Sequence, residues 1–217
     1  MICIETKHWR RVFSAWADIM RENRDYLIEL DGVAGDSDLG LTMTDGFAAA
    51  RDAVLDFEGD DAGRLLYTGG KAIMRHAPSS LGTLLGSGFL EAGKRLKGRE
   101  VLPLDEAYRL FEAIEENIMA RGGAKVGEKT FLDGIDPAVR ALRTADWSAG
   151  AAEPLRAAAQ AARDGAAHTR DLIARHGRMA IRGEASLGML DPGAVVAALL
   201  VTAFADTLAV QLSDNEL

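Results

Sequence analysis

The sequence predicts an all-α protein of roughly eight helices joined by irregular loops, and three observations carry that expectation. Apolar residues recur at the i, i+3, i+4, i+7 spacing of a buried helical stripe over most of the chain. Alternating strand patterns are nearly absent. Breaks rich in glycine, aspartate and proline interrupt the helical pattern at intervals. No Pro/Ser-rich linker or shift of composition divides the chain, so residues 1–217 read as one domain.

Taken in order, Trp9, Val12, Phe13, Trp16, Ile19, Met20, Leu27 and Leu30 form the first stripe. Tryptophans on such a stripe belong to a core rather than to a ligand site. An Asp-rich loop follows, then a second helix carrying Met43, Phe47 and Val54, and a third from about Asp61 to Met74. His76 to Thr83 breaks the pattern, with Pro78 and small residues leading into a helix that holds Leu84, Leu85, Phe89 and Leu90. Leu102-Pro103 is expected to open the next helix, whose core face is Leu104, Tyr108, Phe111, Ile114 and Ile118. A long glycine loop, Arg121 to Thr130, precedes a helix around Ile135, Val139 and Leu142. An Ala-rich helix is expected from about Ala151 to Ala174, in keeping with the high helix propensity of alanine. Gly177 to Gly193 is a second irregular stretch, and the last helix, Ala194 to about Leu212, is apolar on most faces and so expected to be buried.

Composition narrows the function. A length of 217 residues, 48% apolar, is enough to bury a sizeable core. No apolar run is expected to be long enough and free enough of charge to cross a membrane, and the N-terminus lacks a signal core. A net charge of −8 argues against nucleic acid as the main partner, because phosphate backbones need a cationic face. The single cysteine, Cys3, excludes an internal disulfide and fits a reducing cytoplasm.

The chemistry concentrates in Leu30-Asp31-Gly32-Val33-Ala34-Gly35-Asp36-Ser37-Asp38-Leu39-Gly40. Three carboxylates, Asp31, Asp36 and Asp38, stand close together in a glycine turn with no cation between them. Such groups repel unless something positive sits among them, and all-oxygen ligands suit a hard cation such as Mg²⁺ or Ca²⁺. The plainer explanation is a solvated acidic loop in which Asp36 or Asp38 caps the next helix. An EF-hand is excluded, since the twelfth position counted from Asp36 is Phe47 rather than glutamate. A loop this poor in ligands leaves open positions on the metal, which Mg²⁺ fills with water and substrate phosphates, so the loop hints at a nucleotide.

Four glycine-rich breaks, at Asp31–Gly40, Ser79–Gly82, Gly122–Thr130 and Gly177–Gly193, could gather at one end of an antiparallel bundle and build a site there. Helix N-termini after Asp38 and Ser80 would offer backbone N–H groups to phosphate. Other signatures fail. Gly122 to Thr130 misses the P-loop, with Glu128 where its lysine belongs and no preceding strand. Protein-kinase motifs and a nucleophile elbow are absent, and His8, His76, His168 and His176 form no metal-spaced pair. Arg178 and Arg182 lie in the last irregular loop, where an arginine facing an Asp cluster can clamp phosphate.

These segments together resemble the nucleotide-binding (L) subunit of dihydroxyacetone kinase. Asp31 with Gly35-Asp36-Ser37-Asp38-Leu39-Gly40 is similar to the family's L-D-x-x-x-G-D-x-D-H-G. Gly122-Gly123-Ala124-Lys125-Val126-Gly127-Glu128-Lys129-Thr130-Phe131-Leu132-Asp133 is similar to G-x-A-x-x-G-D-K-T-M-x-D. Gly177-Arg178, Gly183 to Gly188 and Asp191-Pro192-Gly193 follow the family tail, and Ser79-Ser80-Leu81-Gly82 stands at its small-residue phosphate loop. The resemblance spans nearly the whole chain.

It implies an eight-helix antiparallel barrel with ADP or ATP capping one end. Asp31, Asp36 and Asp38 would hold the Mg²⁺ ions, two of them, that bridge the nucleotide phosphates. Leu39, Gly40, Leu41 and Thr42, with Ser79, Ser80, Leu81 and Gly82, would meet phosphates mainly through backbone. Gly122 and Phe131 would line the adenine side, and Arg178, Asp191, Pro192 and Gly193 would complete the pocket. The implied partner is a K-type subunit that holds a small ketose covalently; a phosphotransferase-system protein as donor, and a homodimer, are left open. The chain departs from the pattern at Leu39 and Met189-Leu190, where the family has histidines, and at Leu81, where it has serine unless Ser80 takes its place. These departures motivate an alternative, a nucleotide-binding regulatory paralogue that has lost transfer, and a third reading is a metal-free structural helical protein.

Overall fold

The computed structural model describes residues 2–213. A strand β1, Cys3–Glu5, opens the chain and pairs antiparallel with β2, Val101–Pro103, setting Cys3 opposite Pro103 and Glu5 opposite Val101. The remainder is helical: α1 Thr6–Glu22, α2 Arg24–Gly32, α3 Leu39–Leu55, α4 Ala62–His76, α5 Ser80–Arg95, α6 Tyr108–Gly122, α7 Phe131–Thr144, α8 Ala152–His168 and α9 Pro192–Ser213. Each helix from α3 to α9 packs on the next, and α1 packs on both α3 and α9. Among the described residues, eight helices therefore close a ring, and α2 lies outside it against α3. This is the all-α eight-helix barrel that the periodicity and the resemblance lead one to expect.

The ring closes on a single apolar cluster. Trp16 lies at its centre, with Phe13, Phe89 and Phe47 around it at ring-centroid separations of 4.9, 5.3 and 6.2 Å. The edge-on geometry of these pairs suits the aromatic quadrupole. Trp16 Nε1 donates to Leu200 O of α9 at 2.8 Å, so the one polar atom of this deep side chain is satisfied and ties the first helix to the last.

Several boundaries differ from the sequence expectation, each for a local reason. The first stripe is two helices rather than one: the chain turns at Asn23, whose side chain donates to Ile19 O and so competes with continuation of the helix. Leu102-Pro103 belongs to β2, and a 3₁₀ turn at Leu104–Glu106 delays α6 to Tyr108. The Ala-rich helix stops at His168, followed by a 3₁₀ turn at Thr169–Asp171. A longer 3₁₀ segment, Arg178–Ser186, bends at Gly183, where φ is +52°.

The expectation about membrane-crossing runs also needs correction. Pro192–Leu212 is long and apolar enough to cross a membrane by length and composition, with a mean hydropathy of 2.0. In the structure most of that segment is buried, packed against α1, α7 and α8. Its all-round apolar character is that of a core helix, enclosed on several sides.

Candidate functional site

Four connections meet at one end of the ring around a cavity of about 1030 Å³. They are the α2–α3 loop, the α4–α5 loop, the α6–α7 loop and the α8–α9 connection. Of the residues singled out from sequence, Asp31, Asp36, Asp38, Leu39, Ser79, Ser80, Leu81, Gly122, Phe131, Arg178, Asp191, Pro192 and Gly193 line it.

The first corner is acidic. Asp31, Asp36 and Asp38 each present a carboxylate oxygen, and these oxygens all lie within 4.8 Å of one another. Asp31 lies in the last turn of α2; its backbone carbonyl accepts from Ala34 and Gly35 at 3.1 and 2.6 Å, which folds the loop back. Glycine is required at position 35, because a Cβ there would lie 2.1 Å from Asp31 Oδ1. Ser37 takes a left-handed φ of +62°, turning Asp36 and Asp38 toward Asp31. Asp31 Oδ2 accepts from Asp38 N at 3.1 Å, so Asp31 rather than Asp38 caps the start of α3 through its side chain. Burial, then the neighbouring Asp36 and Asp31, push the Asp38 carboxyl above the usual carboxylate range. Arg178 is the cation that reaches this cluster, on Asp36 Oδ2 at 2.5 Å, and it leaves the charge only partly offset. All-oxygen donors, negative charge in excess and a gap of this size fit a hard divalent cation.

The second corner is the start of α5. Ser79 caps it, its Oγ accepting from Gly82 N at 3.1 Å, and leaves exposed Ser80 on the cavity wall. With the start of α3 nearby in the same cavity, two helix N-termini face the space beside the acidic cluster.

The third corner is apolar above and tightly bonded below. Phe131, Leu84, Ile118 and Ala124 form the apolar wall. Thr130 and Asp133 make a capping box at the start of α7. Asp133 binds Gly127 N at 2.5 Å and Thr130 N at 2.7 Å, and so fixes the glycine loop against the helix it precedes. Asp191 accepts from Ala194 N at 2.7 Å at the start of α9. Burial pushes the Asp191 carboxyl up to about 7, against the pull of the Ala194 N–H and of Lys129.

Four residues of the sequence expectation lie elsewhere. Gly40 faces α2: a Cβ there would sit 2.1 Å from Arg24 O, so this glycine serves helix contact. Thr42 is buried and donates to Leu39 O within its own helix. Leu41 is exposed outside the cavity lining. Gly82 packs on Ala77, and its N–H is already taken by Ser79. A helix turns by about 100° per residue, so only part of a first turn can face one ligand. His76, at the exposed end of α4, does not line the cavity.

Among the lining residues that the sequence expectation did not assign to the site are His176 and Lys129. His176 stands on the wall with a ring nitrogen 2.7 Å from Glu128 Oε2, and that same oxygen accepts from Lys125 N. Lys129 is 1% exposed, and its ammonium is surrounded by backbone carbonyls. Glu128-Lys129-Thr130 within a glycine loop was the available signal, and a lysine is ordinarily assigned to solvent.

A family model described as the DAK2 domain matches residues 33–206. The ADP-binding subunit DhaL of the PEP-dependent dihydroxyacetone kinase of Escherichia coli strain K12 is 33% identical over 178 residues, 82% of this chain and 85% of that protein. DhaL of PEP-dependent dihydroxyacetone kinase 1 of Listeria innocua is 33% identical over 202 residues, 93% of this chain and 96% of its own. An L-erythrulose 1-kinase of Mycolicibacterium smegmatis is 34% identical over 91% of this chain, which spans 35% of that longer protein. Among solved structures, the dihydroxyacetone kinase of C. freundii in its native form superposes with a TM-score of 0.71 at 23% identity, over 91% of this chain and 34% of that one. The same enzyme in complex with AMP-PNP and Mg²⁺ gives 0.69 at 22% identity, over 91% of this chain and 33% of that one, and both share the present fold. The match of the domain over most of the chain, with relatives a third identical along nearly their full length, makes this chain a member of the DAK2 domain family, the family of the ADP-binding DhaL subunits of dihydroxyacetone kinases.

Proposed function

We propose that this chain is the nucleotide-binding, phosphoryl-donating subunit of a dihydroxyacetone-kinase-like enzyme. The observation that carries the reading is the cluster of Asp31, Asp36 and Asp38, incompletely neutralised, on a cavity that also takes the first turns of α3 and α5. ADP or ATP would enter with its phosphates toward the carboxylates and its adenine against Phe131, Gly122 and Leu84. Two Mg²⁺ ions, when bound, would neutralise phosphate charge and align the transferred group. The chain's own part is positioning. Asp31, Asp36 and Asp38 supply ligand oxygens, Ser80 and Leu81 offer backbone N–H groups, and Arg178 stands ready to leave Asp36 for a phosphate oxygen. Asp191, Pro192 and Gly193 close the opposite wall.

Among the described lining residues, the Lys129 ammonium is held by four backbone carbonyls and a His176 ring nitrogen by Glu128, so neither is presented to a ketose. Transfer requires donor and acceptor at near-contact distance. The acceptor, dihydroxyacetone or a related small ketose, would come on a K-type subunit docked over the open end. Ile181, 90% exposed in the same 3₁₀ segment as the cavity-lining Arg178, is an apolar knob suited to such a contact. The sole cysteine fits a reducing, cytoplasmic setting. The donor is either exchangeable ATP or a bound ADP rephosphorylated by a phosphotransferase protein.

The purified chain should bind Mg·nucleotide and phosphorylate no free ketose at an appreciable rate, and a K-type subunit should restore transfer. Robust phosphorylation of free ketose by the chain alone would contradict the division of labour. A second reading, a regulatory paralogue that binds nucleotide without transfer, is favoured by one observation: the buried apolar Leu39 on the cavity wall next to Asp38. Binding without transfer, across a panel of ketoses and with the K-type subunit present, would select it.

A further inference from the structure

Lys129 is a buried cation whose hydrogen-bond partners are all neutral backbone carbonyls, with the carboxylates of Asp191 and Asp171 acting on it only through space. Its Nζ lies 2.8 Å from Thr169 O, 3.1 Å from Leu172 O, 2.7 Å from Ser186 O and 2.6 Å from Met189 O. An ammonium has three N–H donors, so four carbonyls cannot each receive a directed bond of their own. Four converging carbonyl dipoles instead replace a hydration shell, as they do for a bare monovalent ion. The lysine also holds a left-handed φ of +62°, a conformation that persists only where surroundings fix it.

The carbonyls come in two pairs, Thr169 and Leu172 before the loop and Ser186 and Met189 after it. The loop between them carries His176, Gly177, Arg178 and Met179 onto the cavity wall. The ammonium therefore closes this loop at its base and joins it to Thr130 and Phe131, which follow Lys129 in the chain. Two other contacts hold the same base: Gly188 N donates to Arg170 O at 2.8 Å, and Ser186 Oγ accepts from Ala174 N at 2.9 Å. Loss of the ammonium should then loosen the loop without unfolding the barrel.

We propose that the carbonyls of Thr169, Leu172, Ser186 and Met189 form a monovalent-cation cage, filled by the Lys129 ammonium as a built-in ion, and that its charge makes Lys129 a positioning residue for the nucleotide loop. The inference rests on the nucleotide reading for its binding arm alone. A lysine truncated at this site should leave a cage that accepts NH₄⁺ or K⁺.

The test uses Lys129→Ala and Lys129→Gln in the full chain, with Mg·ADP affinity measured by calorimetry at a constant ionic strength of about 0.1 M. In choline chloride, Lys129→Ala should bind Mg·ADP about 10-fold more weakly than wild type, and NH₄Cl or KCl should return it to within about threefold. The wild type should not respond to the choice of cation. Lys129→Gln, whose neutral amide fills the cage, should be weakened and not restored. Without nucleotide, hydrogen exchange across residues 169–189 should be faster in Lys129→Ala and slow again in NH₄Cl, a readout that a failure of the nucleotide reading leaves untouched. Folding of Lys129→Ala only in NH₄⁺ or K⁺ would also support the cage. Wild-type affinity and exchange in Lys129→Ala, a loss that no monovalent cation repairs, or a chain unfolded in every salt would overturn it.

Discussion

Two corners of one cavity solve the burial of charge in opposite ways. At the corner of Lys129, Asp133 and Asp191, every charged group meets protein partners: carbonyls around the ammonium, backbone N–H groups on both carboxylates. At the corner of Asp31, Asp36 and Asp38, three carboxylates lie within reach of one another and one exposed arginine pairs with Asp36, which leaves them repelling one another. The first corner is complete as a piece of protein and the second is not. Groups left mutually repelling in a folded chain mark the place where a ligand finishes the structure. Stability and function are thus divided between the corners, and mutations should separate them.

The largest effect is expected where the structure is complete. Asp133→Ala removes two backbone hydrogen bonds and the capping box of α7, and should lower unfolding free energy by roughly 3 kcal/mol, read by urea denaturation. A change below about 0.5 kcal/mol would contradict the role given to this corner.

Buried acids sharpen the contrast through pH. Glu115 of α6, buried beside Asp136 of α7, is raised to about 7, first by burial and then by Asp136. A carboxyl whose folded pKa exceeds its unfolded value keeps its proton longer in the folded state. Its contribution is full below the unfolded value near 4.5 and is lost as pH rises to about 7. Glu115→Gln should therefore match wild type near pH 4 and exceed it at pH 8 by up to about 3 kcal/mol. Thermal unfolding across that range checks both ends, and a variant weaker than wild type at pH 8 would be the wrong sign.

Ligand binding should raise the melting point by mass action. Mg·ADP at 100 times its dissociation constant adds about 2.7 kcal/mol to the folded state. A flat thermal-shift curve at millimolar Mg·ADP would leave the acidic corner without its ligand. The smallest effect belongs to Asp38→Asn in the unliganded chain. Relief of repulsion should raise stability by a few tenths of a kcal/mol, while nucleotide affinity falls. Loss of stability on this substitution would mean that the acidic corner serves the fold instead.

The helices were legible because their apolar stripes repeat over three or more turns, as in Trp9 to Met20 and Leu104 to Ile118. The break at Asn23 was not, since the apolar spacing runs on across it and a single side-chain bond decides the turn. The β1–β2 pair was hidden because strands of three residues hold too little alternation to read. At the site, charge density drew attention to the acidic cluster, and the resemblance of four co-linear segments decided for a metal site over a solvated acidic loop. Gly40 and Thr42 belong to the same sequence motif yet face helix neighbours, a matter of helix rotation that spacing does not reveal. Lys129 was hidden for the opposite reason: its partners are backbone carbonyls, and those carry no residue-type signal.

The most direct test of the central claim is calorimetric titration of Mg·ADP into wild type and Asp36→Asn, each with Mg²⁺ and with EDTA. Wild type should bind in Mg²⁺ and lose that binding in EDTA, and Asp36→Asn should bind roughly 100-fold more weakly with its helical circular dichroism unchanged. Equal affinity in all four titrations would show that the three aspartates are not a metal site and that the acidic corner needs another explanation.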